Sequence, residues 1–159
     1  METQIIKGDF VKDRIFSEVK TEVANLNEKH HKIPGIAFIG FSNIPLSKYN
    51  IPFHIQLAQA AGFNVFKDIK EENTTEEEMF TLIDALNLND DIHAIVLLQP
   101  LPLHLNPIRI INRINPEKEV EGFHPQNMLS TLIPDIQTER YPMCLPAALF
   151  EASEALVTF

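Results

Sequence analysis

Ile92-His93-Ala94-Ile95-Val96-Leu97-Leu98 is an almost wholly apolar run that ends in Gln99-Pro100-Leu101-Pro102. A short run that is apolar at consecutive rather than alternate positions reads as a strand buried on both faces, as in a parallel sheet between helices. The prolines cannot donate to the ladder, so the strand ends at them. A second run of the same kind, Ile36-Ala37-Phe38-Ile39-Gly40-Phe41, follows the chain break at Pro34-Gly35.

Helical and strand signals alternate around these two runs. Between about Phe10 and Lys29, Val11, Ile15, Val19, Val23 and Leu26 recur at spacings of three and four, one face of an amphipathic helix. Phe53 to Ala61 reads as a helix stopped by Gly62, and Phe63 to Ile69 as a strand. Thr75-Glu76-Glu77-Glu78 is a capping box that opens a helix reaching about Leu88. A short helix is expected over Pro107 to Ile114, then a loop over Asn115 to Asn127, and a last helix from about Pro146 to Val157. The pattern predicts one α/β domain over residues 1–159, a three-layer α/β/α arrangement with a mainly parallel sheet. The runs Ile36–Phe41 and Ile92–Leu98 should be adjacent and parallel. Ligands in such sheets sit beyond the carboxyl ends of the strands, so the loops after Phe41 and Leu98 are where chemistry is expected.

The formal net charge of −9 repels phosphate backbones and anionic lipid, so neither nucleic acid nor a membrane surface is an expected partner. A single cysteine, Cys144, allows no internal disulfide and fits a reducing compartment. Met1-Glu2-Thr3-Gln4 lacks a signal-peptide pattern, and no apolar run approaches bilayer length; a cytoplasmic protein is expected.

Three segments carry a resemblance: Pro45-Leu46-Ser47 before a helix, His93 to Pro102, and Pro116-Glu117-Lys118-Glu119-Val120-Glu121-Gly122-Phe123-His124-Pro125-Gln126-Asn127. In order and spacing they resemble the bifunctional methylenetetrahydrofolate dehydrogenase/methenyltetrahydrofolate cyclohydrolase family. Its members share a strand ending V-Q-L-P-L-P and a loop P-x-K-D-V-D-G-F-H-P-x-N. The resemblance covers nearly the whole chain and implies the catalytic, folate-binding domain, a folate derivative as ligand, and homodimers. It also implies four working side chains. A tyrosine stacks on folate. A lysine four residues later moves protons and stabilises charge. A glutamine at the strand end positions the lysine, and an aspartate grips the pterin edge.

Carried over by residue, those positions hold other side chains. Anchored on Ser47 and Gly62, the tyrosine position is Asn50 and the lysine position His54. If a local shift gives Tyr49 the tyrosine role, the lysine role falls on Phe53. Anchored on Pro100, the glutamine position is Leu98; Gln99 is one slot away, which in a strand means the opposite face unless a bulge intervenes. The aspartate position is Glu121, one methylene longer. Pro52 suggests a helix starting near Asn50, which would put His54 close to the positive end of the helix dipole and disfavour its imidazolium. Catalysis is therefore expected to be slight or absent and folate binding weak. The candidate substrate-binding set is Tyr49, Asn50, His54, Leu98, Gln99, Pro100 and Glu121.

The family's oxidoreductase half needs NAD(P), held in a later domain on a glycine-rich turn. This sequence contains no G-x-G-x-x-G. No cofactor is expected on these residues, and NAD(P) only with a second domain downstream. His93, His104 and His124 lack the spacing of a zinc set, and no metal is expected; His30 and His31, at a helix end, read as capping carbonyls or facing solvent. Cys144 beside Pro146 reads as structural rather than nucleophilic. The alternative to an altered enzyme is a pseudoenzyme: the same fold serving as a regulatory or partner-binding module.

Overall fold

The computed structural model describes residues 8–132 and 141–157. In chain order the elements are α1 (Gly8–His30), β1 (Gly35–Phe41), α2 (Ser47–Ala61), β2 (Asn64–Lys70), α3 (Glu76–Leu88), β3 (Ala94–Leu97), α4 (Pro107–Ile111), α5 (Pro125–Leu132) and α6 (Cys144–Val157). The sheet order is β2-β1-β3 and every pair is parallel. The two apolar runs are neighbours, with Ile36 opposite Ala94 and Ile39 opposite Leu97. Bonds beyond the ladder extend the register at both ends, from His93 N to Gly35 O and from Leu98 N to Ile39 O.

Alternation along these strands sends side chains into two separate cores. Ala37, Ile39, Phe41, Ile95 and Leu97 pack with Met79 and Ile83 of α3 and Ile110 of α4. Phe38, Val96 and Leu98 pack with Ile51 and Ala58 of α2. This is the three-layer arrangement. Strand β2 is one edge of the sheet and is only partly buried.

The Thr75 capping box forms in full: Thr75 Oγ accepts from Glu78 N at 3.2 Å and Glu78 Oε2 accepts from Thr75 N at 2.8 Å. Three expected boundaries are corrected. Helix α2 begins at Ser47, six residues before Phe53, entered through short-range bonds from Ser47 N to Ile44 O and Lys48 N to Pro45 O. Leu46 makes no side-chain cap there, so no capping residue marks the start. Pro52 lies inside α2 and not in its first turn. The expected loop over Asn115 to Asn127 gives way to α5, with Pro125 at its first position.

The segment before α5 is tied to the sheet. Ile95 forms an isolated parallel bridge with Glu119, and Ile95 N donates to Lys118 O at 2.6 Å. The Lys118 ammonium donates to the carbonyls of Leu86, Asn87 and Asn89 at 3.2, 2.8 and 2.9 Å, satisfying carbonyls at the end of α3. Lys118→Met should therefore lower folding stability by roughly 1–3 kcal/mol, the scale of lost hydrogen bonds to a charged group. Urea denaturation checks it; a loss below about 0.5 kcal/mol would show that water replaces the ammonium at no cost.

Candidate functional site

The site is built at the carboxyl end of β3, facing α2. Ile51 faces the core from α2, and a Cβ on Gly40 would meet its Cδ1 at 2.7 Å, so helix and strand approach closely there. Asn50 and His54, four residues apart, share a half-buried face of α2. Tyr49 and Phe53, the alternative pair, are 78% and 56% exposed. The His54 ring lies 6.2 Å from that of Phe38 and 5.7 Å from that of Phe53, centroid to centroid. Loss of solvation among these rings lowers the His54 pKa. The imidazole is disfavoured as a cation, but by burial. With α2 starting at Ser47, His54 lies past its first turn, so the expected dipole effect is not the cause.

Leu98 points to the same side of the sheet, packed with Phe38, Ile51 and Val96. It is a buried apolar group with no polar capacity. Gln99 is half-buried, and Pro100, joined to it by a cis peptide bond, is exposed.

Glu121 stands beside the end of β3, and a hydrogen bond from the Leu97 backbone favours its charged form. Two larger effects oppose it: burial, and then the charge of Glu119. Together they push the Glu121 carboxyl up to about 7. Cys144, at the start of α6, shares these surroundings. Its N donates to Glu121 O at 3.2 Å, and its thiol donates to Val120 O at 3.7 Å. Burial, followed by the Glu121 and Glu119 charges, raises the thiol pKa, which leaves little thiolate at neutral pH. Gly122 has φ +78°, and a Cβ there would lie 2.5 Å from the backbone of Pro142 and Met143, so the loop and the entry to α6 are in contact at a position only glycine fits.

Glu119 was not singled out as a site residue by sequence reasoning, yet it organises this loop. It is 3% exposed. Its Oε1 accepts from Glu121 N at 2.9 Å, and its Oε2 accepts from His124 N at 2.9 Å and Asn127 Nδ2 at 3.0 Å. The Asn127 amide also donates to the carbonyls of Pro116 and Glu119. An acid followed eight residues later by asparagine gives no local signal; burial alone reveals it.

Three other histidines have local partners. His93 Nδ1 accepts from Gly35 N at 3.1 Å, His104 Nε2 lies 2.9 Å from Thr74 O, and His124 Nδ1 accepts from Gln126 N at 3.2 Å. Among the described residues no three His, Cys, Asp or Glu side chains converge in a way that could hold a metal.

With this geometry in place, residues 6–121 match the family described as "Tetrahydrofolate dehydrogenase/cyclohydrolase, catalytic domain". The chain belongs to that family. It is 34% identical over 151 residues to the Bifunctional protein FolD of Desulfosudis oleivorans, across 95% of this chain and 50% of that protein. It is 37% identical over 142 residues to Bifunctional protein FolD 1 of Hydrogenovibrio crunogenus, across 86% of this chain and 49% of that one. The fold superposes with a TM-score of 0.91 on the Campylobacter jejuni bifunctional FolD enzyme, at 25% identity and over 97% of this chain and 54% of that one. It does so equally, at 26% identity and over 99% and 53% of the two chains, on the Trypanosoma brucei methylenetetrahydrofolate dehydrogenase-cyclohydrolase, solved with NADP cofactor and inhibitor. This tetrahydrofolate dehydrogenase/cyclohydrolase-family chain spans about half the length of the relatives it matches.

The raised Glu121 carboxyl makes stability depend on pH. Between its ordinary value of 4.5 and about 7 the folded chain keeps a proton that the unfolded chain has released. Its contribution to stability therefore falls as pH rises through that window and stays low above it. Glu121→Gln should raise Tm by a few degrees at pH 8 and change it little at pH 4.5. Thermal unfolding of both proteins across this range checks it; equal Tm differences at the two ends would contradict the assignment.

Proposed function

We propose that this domain serves one-carbon folate metabolism as a folate-binding domain with a weak pterin site and little or no catalysis of its own. The observation that carries the reading is His54. At the position where the family places a lysine stands an imidazole whose surroundings disfavour charge, and a neutral ring is a poor substitute for an ammonium. Leu98 reinforces it, because a leucine packed among Phe38, Ile51 and Val96 cannot orient a proton-transfer group. Asn50 offers no aromatic face for stacking. What remains for a ligand is the Glu121 carboxyl beside β3 and the backbone around Gln99 and Pro100.

Dehydrogenase activity is a proposal for a longer protein only. The relatives are about twice as long, the Trypanosoma brucei enzyme binds NADP, and these residues lack the glycine-rich turn that would cradle a dinucleotide. Leu145, Leu149 and Phe150 of α6 are exposed and would suit a second domain or a second copy of the chain as cover; the expected contributions of Leu156 and Phe159 lie outside the side chains described. The same face supports the alternative reading, a pseudoenzyme that acts as a regulatory or partner-binding module in the cytoplasm.

Methenyltetrahydrofolate hydrolysis, followed by absorbance, tests the chemistry without any nucleotide. The rate should match that of buffer; turnover of about 1 per second or faster would show that another group has replaced the lysine. Binding is tested separately by calorimetry with folic acid. The extra methylene of Glu121 displaces its carboxyl by about one C–C bond, beyond the roughly 0.5 Å tolerance of a well-held site. Glu121→Asp should tighten binding by about tenfold, the worth of restoring a charge-assisted hydrogen bond. Unchanged affinity would remove Glu121 from the pterin site.

A further inference from the structure

We propose that Glu119 is a positioning residue for Glu121: its buried carboxylate aims the Glu121 carboxyl from behind and sets how pterin binding responds to pH. The inference rests on the folate-binding reading only for the ligand; the coupling of the two acids is a property of the loop itself.

The geometry is specific. One Glu119 oxygen accepts from the Glu121 backbone N–H, and the other from His124 N–H and the Asn127 side chain. Glu119 is also bridged to Ile95 of β3, so it fixes the loop against the strand at whose end Glu121 stands. A carboxylate that accepts from the backbone of its neighbour two residues away holds that neighbour's Cα in place. It also keeps a negative charge beside the second acid, disfavouring a second charge.

The titratable groups beside Glu121 are Glu119 on its own loop and Cys144 on α6; β3 contributes the Leu97 backbone. Lys118, next in sequence to Glu119, sends its ammonium to the end of α3 instead. A pterin edge presents N–H donors, which two oxygens of a carboxylate accept together. A protonated carboxyl turns one of those oxygens into a donor. Affinity for a pterin should therefore rise as pH is raised through the Glu121 midpoint, by up to about tenfold per unit below it.

The experiment is a carbon-13 NMR titration of the side-chain carboxyls of the whole chain, with the Glu121 signal assigned by its loss in Glu121→Gln. The parent should show a midpoint near 7. Glu119→Gln, which removes the charge but keeps one acceptor, should lower that midpoint by about one unit or more, and Glu119→Asp, which keeps the charge, should lower it by less. An unmoved midpoint in Glu119→Gln overturns the proposal. So does an ordinary carboxyl midpoint in the parent. If Glu119→Gln fails to fold, the parent decides: the amide signals of Glu121 and His124, both bonded to Glu119, should shift with the same midpoint as the Glu121 carboxyl, and amides indifferent to that titration overturn it. Folic acid calorimetry at pH 6 and 8 supplies the functional arm, with affinity several-fold higher at pH 8 in the parent and less pH-dependent in Glu119→Gln. Absence of folic acid binding at every pH, with the midpoint still moved by Glu119→Gln, would overturn the folate reading and leave the coupling of the two acids standing.

Discussion

Everything in this domain depends on β1 and β3 being buried on both faces. Odd-numbered residues of both strands enter the core under α3 and α4, and even-numbered ones enter the core under α2. That parity decides which side chains can meet α2 at all. Leu98 N continues the ladder to Ile39 O, so residue 98 is held to the strand geometry and faces α2. Residue 99 inherits the opposite direction, and moving a glutamine from one slot to the next is therefore no small change. A polar side chain at 98 would need a partner within an apolar cluster, because an unpaired buried amide is costly. Leucine removes that requirement.

The loop that follows uses its charges inward. In Pro116-Glu117-Lys118-Glu119-Val120-Glu121, Lys118 satisfies the carbonyls at the end of α3 and Glu119 satisfies the amides of Glu121 and His124. Both are framework residues, and neither needs a ligand to justify its place. The segment is thus held to β3 and to the end of α3 by its own side chains. Gly122, pressed against Pro142 and Met143, connects the same loop to α6. Cys144 N, at the start of α6, donates to Glu121 O, so the loop meets the helix that carries the exposed Leu145, Leu149 and Phe150.

Most of the fold was legible because its signals are local. Consecutive apolar residues marked β1 and β3, and the reciprocal bonds of Thr75 and Glu78 marked the start of α3. The start of α2 was not, because Leu46 caps nothing and Pro52 reads as a first-turn proline although it lies deeper in the helix. Pro125 offered a usable signal for α5, being a proline at a first helical position, but the glycine-containing motif before it suggested a continuous loop. In the site, the shared half-buried face of Asn50 and His54 follows from helical spacing, so that pairing was readable. The role of Glu119 was not, since its partners come from a turn two to eight residues away and its burial depends on β3.

Burial has one shared effect on the two titratable groups of the candidate site. A site that moves protons on a folate needs charge that is fixed before the substrate arrives. Here burial acts on both titratable groups that could supply it, and in each case it favours the neutral form: the pKa of His54 is lowered and that of Glu121 raised. Opposite charges brought together would each have offset the other's loss of water, as a lysine and an aspartate could. Asn50 and Leu98 add no charge to restore the balance. The charge that acts on Glu121 is that of Glu119, of the same sign, and it moves the group further from an ionised state. A lysine in place of His54 would meet the same surroundings beside the Phe38 ring, where burial disfavours its charge as well. The surroundings at this strand end therefore favour neutral over charged side chains at both positions.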